Sequence, residues 1–396
     1  MAILERNIFF LTLVGLWKPE HWKGFKAALY YFYICLLTIV NHSFLLSGVL
    51  DFGLRNIDVV VIFDNLSLLS CLITVRYKII TVLYYRKSIE EFVNRFERDP
   101  FRAKDDEEEK IYIKFDNFTK TVSILYTGLC TVGASWYSLG RILRMSPPNV
   151  MPYQGWFPYD YTTYKYYWPT AIYQLYAVCS AACVNFAYDS MFCSILYYLC
   201  AQTHILKHRF SVLVKNLQKI NEGNDGSVNI REIERKMIGD WVDYHNNILS
   251  LVEFVKSLFS TAIFVQYASS SLLICSITYT LSHIETRSIN FVGTLLYVIA
   301  MTIQIFFQCI AANQVTVEFA DITNALYNTN WYNLSNNVRK AMTIILAEPL
   351  KPTLISSGYF VILSLESFTK VSYYKNNLLS FGDAFHCLIS FLSTGY

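Results

Sequence analysis

The sequence predicts an all-α membrane protein of seven transmembrane helices, N-terminus inside and C-terminus outside, on three observations. Of 396 residues, 54% are hydrophobic and only 16% charged, with a mean hydropathy of +0.31, too apolar for a soluble domain of this length. Seven stretches are each long enough to cross a hydrocarbon layer of about 30 Å, which takes about 20 residues as helix. The basic residues also segregate. Of 33 Lys and Arg, 24 lie on one side of the predicted spans and seven on the other, and such a bias marks the cytoplasmic face.

The first span is read at 25–50. The segment before it, "MAILERNIFFLTLVGLWKPEHWKGF", has acids and aromatics and no small-residue cleavage site, so it is expected to be retained rather than removed as a signal peptide. It holds four of the basic residues. The second span, 57–83, contains Asp64 and has Arg76 and Lys78 at its inner end. Nine basic residues between Arg86 and Lys120 follow it. The third span is 118–143.

The outer loop after it, Met145 to Pro169, has five prolines and nine aromatics. Two readings stand: a belt of Tyr and Trp rings at headgroup level, which composition favours, or a lid over an apolar pocket. The fourth span, 169–201, contains Asp189. A carboxylate inside the bilayer is costly unless it faces protein, water or a partner, so Asp64 and Asp189 suggest function by default.

Spans four and five are expected to continue below the membrane. Apolar residues recur at Ile205, Phe210, Leu213 and Leu217, and after the turn signal "NEGNDGS" at Ile230, Ile233, Met237, Trp241, Tyr244, Ile248 and Leu251. These apolar faces need partners, so a packed inner base is expected. Span five is 257–282, span six 290–315. Between spans six and seven, "NNVRKAMTIILA" puts Val338, Met342, Ile345 and Leu346 on one stripe behind the N-cap candidate Ser335, and Pro349 and Pro352 end it. Span seven is 353–374.

Several function classes are excluded or disfavoured. No basic block interleaved with Gly or aromatics stands out, so no nucleic-acid partner is expected. There is no His-Glu-x-x-His, phosphate-cradling Gly loop or nucleophile elbow, so no enzyme, catalytic residue or cofactor is expected. Cys200, His204 and His208 share one helical face but lack a fourth ligand, so no metal is expected and the face is read as solvated. All ten cysteines fall in apolar stretches and are read as small buried hydrophobes, not a disulfide framework. The sequons at Asn41, Asn65, Asn117 and Asn333 lie within spans or on the inner side. A rhodopsin-like receptor is opposed by four features: no Asp-Arg-Tyr after span three, no Asn-Pro-x-x-Tyr in span seven, no outer disulfide, and an inside N-terminus.

The segment "VEFADITNALYNTNWYNLSNNVRKAMTIILAEPLKPTLISSGYFVILSLESFTKV", Val317 to Val371, closely resembles the C-terminal signature of insect odorant receptors. The residues that carry it are Glu318, Ala325-Leu326-Tyr327, Trp331-Tyr332, Leu334, Arg339-Lys340, Lys351-Pro352, Ser357-Gly358-Tyr359 and Ser364-Leu365-Glu366-x-Phe368. A gustatory receptor of the same superfamily is the alternative, but its Thr-Tyr and Gln-Phe ending is absent.

The resemblance implies an odorant-binding subunit in the plasma membrane of a sensory neuron. It binds small volatile ligands and, as a heterotetramer with an obligate co-receptor of the same fold, gates a non-selective cation channel. It implies one seven-span domain over 1–396, anchor segments at 202–256 and 316–352 with Trp331, Arg339 and Lys340 at subunit contacts, and a pore-lining last span at 353–374 with Ser364, Glu366, Phe368 and Val371. The odorant is expected in the outer half of the bundle under the aromatic loop. By depth, Phe63, Gly133, Trp136, Tyr137, Tyr173, Tyr176, Phe264, Tyr267 and Ser271 are its expected lining, apolar and aromatic with a hydroxyl or two for orientation.

The resemblance also implies that the last helix continues about a dozen residues past Ser-Leu-Glu-x-Phe through Ser-Tyr-Ser and an apolar end. Here only Ser372-Tyr373 is similar, several residues early, and Lys375-Asn376-Asn377 stands where apolar gate residues are expected. The tail 375–396 is therefore atypical. It is read as a divergent outer tail or as a retained intron, since Val371-Ser372 can be encoded by the splice donor GTA AGT.

Overall fold

Apolar runs separated by short polar joints become helices longer than a bilayer crossing. The computed structural model describes residues 5–19, 22–54, 59–96, 98–147, 150–222, 230–284 and 288–347, and the strands Ser356–Ser357 and Val361–Ile362. Its helices are α1 (Glu5–Leu13), α2 (Phe25–Leu54), α3 (Val59–Arg95), α4 (Asp106–Leu143), α5 (Tyr164–Glu222), α6 (Ile230–Ser282), α7 (Ile289–Tyr327) and α8 (Asn336–Ala347), with a 3-10 turn at Trp331–Asn333.

Five of the described helices are long and apolar enough to cross a membrane: Phe25–Leu54, Val61–Arg95, Tyr164–Ile220, Arg231–Ser282 and Asn290–Tyr327. They correspond to predicted spans one, two, four, five and six. The third predicted span is helical within α4 but is less apolar, because Ser123, Thr127, Thr131, Ser135 and Ser138 dilute it. Of the seventh, only the two strands are described; they pair antiparallel, Ser356 opposite Ile362 and Ser357 opposite Val361. These four residues depart from the predicted helix. Ser, Val and Ile are only middling helix formers, and Gly358 beside them is a poor one. Ser364, Glu366, Phe368 and Val371 lie outside the described residues.

Helix α5 is the hub, packing against α1, α2, α3, α4, α6 and α7. Every residue from Ala187 to Thr203 is buried, as expected of a helix with neighbours all round. The α4–α7 seam is close because glycines line it. A Cβ on Gly133 would lie 2.8 Å from the Ala300 Cβ and 3.2 Å from the Leu296 carbonyl oxygen, and one on Gly293 would lie 3.1 Å from the Trp136 carbonyl oxygen. Small residues permit such approach between membrane helices. Gly133→Val and Gly293→Val are each expected to destabilise the protein by about 1–3 kcal/mol through overpacking, read as a lower Tm in detergent. Gly128→Ala, with nothing within 4 Å of its Cβ position, should leave Tm unchanged or raised; equal losses at all three would refute the seam.

The end of the bundle that carries α8 is a packed base. Val338, Met342 and Ile345 of α8 are buried, three of the four members of the predicted stripe; the side chain of Leu346 lies outside the described residues. The Ser335 hydroxyl, the candidate cap, donates to Glu234 of α6 at 3.2 Å. Arg209 of α5 makes a fork to both oxygens of the buried Glu108 (2.7 and 2.8 Å) and donates to the carbonyls of Pro100 and Arg102. Asp105 caps α4 by accepting from the Glu108 N–H, and that bond, with a second from His208, holds its carboxyl below the usual carboxylate range against the opposing effect of partial burial.

The face of Cys200, His204 and His208 is paired rather than solvated. Cys200 is buried, His204 Nε2 lies 2.9 Å from Glu318, and His208 Nε2 lies 3.0 Å from Asp105. The histidines thus join α5 to two different elements. Lys207 between them reaches both Glu318 (2.9 Å) and Asp321 (2.8 Å). No group of three or more metal-ligating side chains occurs among the described residues. Nine cysteines are described; all are free, four are buried and four exposed.

Helix α1 has no counterpart among the predicted elements. Its Asn7 is buried against α5, donating to Ser194 (2.7 Å) and accepting from Ser190 (2.9 Å). Tyr30 of α2 donates to the carbonyls of Thr12 and Trp17 and so ties down the chain behind it.

Candidate functional site

At the opposite end, which carries residues 144–163, aromatic and charged side chains gather between helices. Asp64 of α3 pairs with Arg141 of α4. The guanidinium also donates to the Tyr137 hydroxyl (2.6 Å) and sits 4.9 Å and 5.8 Å from the ring centroids of Tyr137 and Tyr153. Tyr137 stacks on Tyr297 of α7 at 4.4 Å, and Phe63 lies against Tyr279 of α6 at 4.3 Å. One carboxylate of a candidate span is thereby paired inside a cluster of packed aromatic rings, where an arginine over ring faces gains cation–π attraction.

The loop is fastened beside this cluster along one stretch. Tyr153 is buried, exchanges two backbone hydrogen bonds with the Gln174 amide (3.2 and 2.9 Å) and meets Phe44 edge-on. The Trp156 N–H donates to the Ser47 carbonyl of α2 at 3.0 Å. Gly155 permits this approach, since a Cβ there would stand 3.0 Å from the Ser47 Oγ. Beyond it Tyr159, Tyr164, Tyr166 and Trp168 remain exposed. The loop is thus tied to α2 and α5 along one stretch and bares its aromatic rings along another. Beneath Gln154 lies a shallow cleft of about 10 Å³, room for a water at most, bounded by Phe44, Gly48, Asn65, Leu68, Leu69 and Leu72.

The expected lining residues divide among three places. Phe63, Gly133 and Tyr137 lie between α3, α4, α6 and α7. Tyr173 faces α2 and the loop, its hydroxyl 2.5 Å from Ser43 and its ring edge-on to Phe44 and Phe157. Trp136, Tyr176, Phe264 and Ser271 are exposed on the flanks of the single chain, while Tyr267 is half-buried with its hydroxyl 2.8 Å from the Cys309 Sγ. Of the anchor residues, Trp331 is half-buried, and Arg339 and Lys340 are exposed. Tyr153, Arg141 and Phe44 were not foreseen. A charge of each sign near the same end of two spans was the available signal for Arg141.

Deeper in the bundle lies a polar network. Asp189 of α5 is fully buried and accepts from Lys78 of α3 (2.5 Å) and Gln308 of α7 (2.8 Å) on one oxygen, and from Tyr126 of α4 (3.0 Å) and Gln304 of α7 (2.7 Å) on the other. Lys78 also donates to Asn185 (2.5 Å), whose amide exchanges bonds with Gln304. Gln308 donates to Gln266 of α6 at 3.2 Å. Lys78, expected at the inner end of its span, is instead fully buried in this network. One carboxylate thus joins four helices directly, and Gln308 extends the network to a fifth, α6. A buried ion pair is tolerated only when such bonds replace its lost water.

Comparison with known proteins gives this arrangement its relatives. Odorant receptor 94a of Drosophila melanogaster is 23% identical over 307 residues, 77% of this chain and 75% of that protein. An odorant receptor coreceptor of Aedes aegypti is 21% identical over 287 residues, 56% of this chain and 60% of that one. The fold is that of the insect olfactory receptor OR5 from Machilis hrabei, with a TM-score of 0.80 at 18% identity over 95% of this chain and 97% of that one; its complex with eugenol gives 0.79. The family model for the 7tm odorant receptor matches residues 58–373. A match across most of the chain, joined to the same helical fold, makes this a membrane receptor rather than an enzyme: the chain belongs to the 7tm odorant receptor family.

Proposed function

We propose that this chain is the ligand-binding subunit of an odorant-gated cation channel in the plasma membrane of a sensory neuron. It takes a small volatile organic ligand into the outer half of its bundle and assembles with a co-receptor of the same fold into a heterotetramer. The observation that carries this reading is the cluster of Phe63, Tyr137, Tyr153, Tyr279 and Tyr297 around the Asp64–Arg141 pair, next to a fastened loop. Aromatic rings that can part around a small guest, with a few polar groups to orient it, suit small volatiles. That a family relative of the same fold has been solved with eugenol supports the ligand class, and the similarity to a coreceptor supports the partner.

In this reading the N-terminus is inside, residues 202–256 and 316–352 form the anchor through which subunits meet, and 353–374 lines the pore. Ligand opens the pore only by preferring the open form, and a tenfold preference supplies about 1.4 kcal/mol per site. The family match ends at residue 373, two residues past Val371, which agrees with a tail of different origin. Genomic sequence tests this: a donor site at Val371-Ser372 with an in-frame Ser-Tyr-Ser exon downstream is expected for a retained intron.

The function is tested by co-expressing the chain with a co-receptor and recording volatile-evoked current while G-protein signalling is blocked. Current that survives the block is expected. Current abolished by it would make this a metabotropic receptor instead.

A further inference from the structure

The network around Asp189 is complete on four helices and open on one side. Gln308 Nε2 spends its hydrogens on two acceptors, Asp189 Oδ1 at 2.8 Å and Gln266 Oε1 at 3.2 Å. A flipped Gln308 amide would set oxygen against a carboxylate oxygen, so its orientation is determined, and with it that of Gln266. Two atoms are then left over. Gln266 Nε2 has no acceptor and Gln308 Oε1 has no donor, although both side chains are fully buried. Leaving a buried polar group unpaired costs about 1–3 kcal/mol, and such orphans in a folded protein call for an unseen partner.

The chemistry of that partner follows from the pair. A single partner that serves both atoms accepts from one amide and donates to the other, which a hydroxyl does with its one oxygen. A carbonyl or ether oxygen can accept but not donate. A carboxylate is opposed by Asp189 next to the site, and an ammonium by Lys78 on the same carboxylate. One residue along from each glutamine, Tyr267 and Cys309 close on one another at 2.8 Å. Tyr267 is half-buried, so the amides lie one residue from a side chain of α6 that is partly exposed.

We propose that Gln266 and Gln308 form a hydroxyl-binding site, occupied by water at rest and by the hydroxyl of an alcoholic or phenolic ligand on activation. The proposal rests on the reading of this chain as a receptor for small volatiles. It assigns to that site a substrate class, hydroxylated volatiles, and a route by which ligand reaches the helix-joining network.

The test uses the full chain co-expressed with a co-receptor and matched probes: 1-hexanol, 1-octanol and benzyl alcohol, each against its methyl ether. For the wild type, half-maximal concentrations at least tenfold lower for alcohols are expected. Gln266→Met, which does not touch Asp189, should bring each alcohol to within about threefold of its ether while ether-evoked current persists. Gln266→Asn, with the amide withdrawn by one methylene, should give an intermediate preference and serves as the readout if the methionine variant does not reach the surface. A wild type indifferent to the hydroxyl, or a preference unmoved in the variants, would leave a water site only and overturn the assignment. Absence of current with volatiles of every class would instead overturn the receptor reading, and the site with it.

Discussion

Lys78→Met is expected to destabilise the protein by about 3–5 kcal/mol, because it leaves the Asp189 carboxylate buried without its counter-charge. Total stabilities are about 5–15 kcal/mol, so most of the protein should be lost from the cell surface and the remainder should melt at a lower temperature. Tyr126, Gln304 and Gln308 still donate to Asp189, but they bring dipoles rather than a charge. The double variant Lys78→Met with Asp189→Asn removes both charges while keeping an acceptor among the surrounding donors, and should regain part of the loss, since stranding one buried charge costs more than removing both. Surface labelling and thermal melts of the three proteins decide this. A single variant as stable as wild type, or a double variant worse than either single, would show that the pair does not bear the network.

Arg209→Ala is expected to cost about 3 kcal/mol at the other end of the molecule, where several charge-assisted bonds depend on one guanidinium. It abandons the buried Glu108 and frees the carbonyls of Pro100 and Arg102, so the joint between α3 and α4 should open. Hydrogen exchange across residues 98–109 should rise sharply while the aromatic cluster beside the loop stays protected. Arg209→Lys should recover little, because an ammonium cannot fork to both carboxylate oxygens. Exchange unchanged in the alanine variant would mean that the joint is held by Phe96, Phe101 and Tyr244 packing alone.

Hydropathy and spacing told much of the fold in advance, because they report on burial along a helix. The apolar stripe of α8 and the continuation of α5 to Glu222 could be read directly. What they do not report is which side of a helix faces which neighbour. Lys78 was placed at a membrane edge because a lysine lowers any hydropathy window, whereas four turns of surrounding helix carry it into the core. Asp189 could be flagged as costly but not paired. Gln266 and Gln308 gave no signal, since a single amide in an apolar helix leaves no periodic trace. Helix α1 was overlooked for a similar reason: its attachment rests on Asn7 and two serines of α5, a contact 183 and 187 residues distant in sequence.

The candidate site was legible in its chemistry and less so in its membership. Phe63 and Tyr137 stand among other rings, but Tyr176, Phe264 and Trp136, chosen by depth alone, lie on the flanks of the single chain. Depth along a helix is one coordinate of two, and the missing angle is set by tertiary packing.

The most direct measurement is made on purified components. The chain and a co-receptor are reconstituted together in a lipid bilayer free of other proteins, and conductance is recorded as a panel of volatiles is applied. A ligand-evoked cation conductance that requires both proteins is the expected result. A bilayer that holds both correctly assembled and stays silent to every volatile, while the same pair signals in cells, would contradict the account.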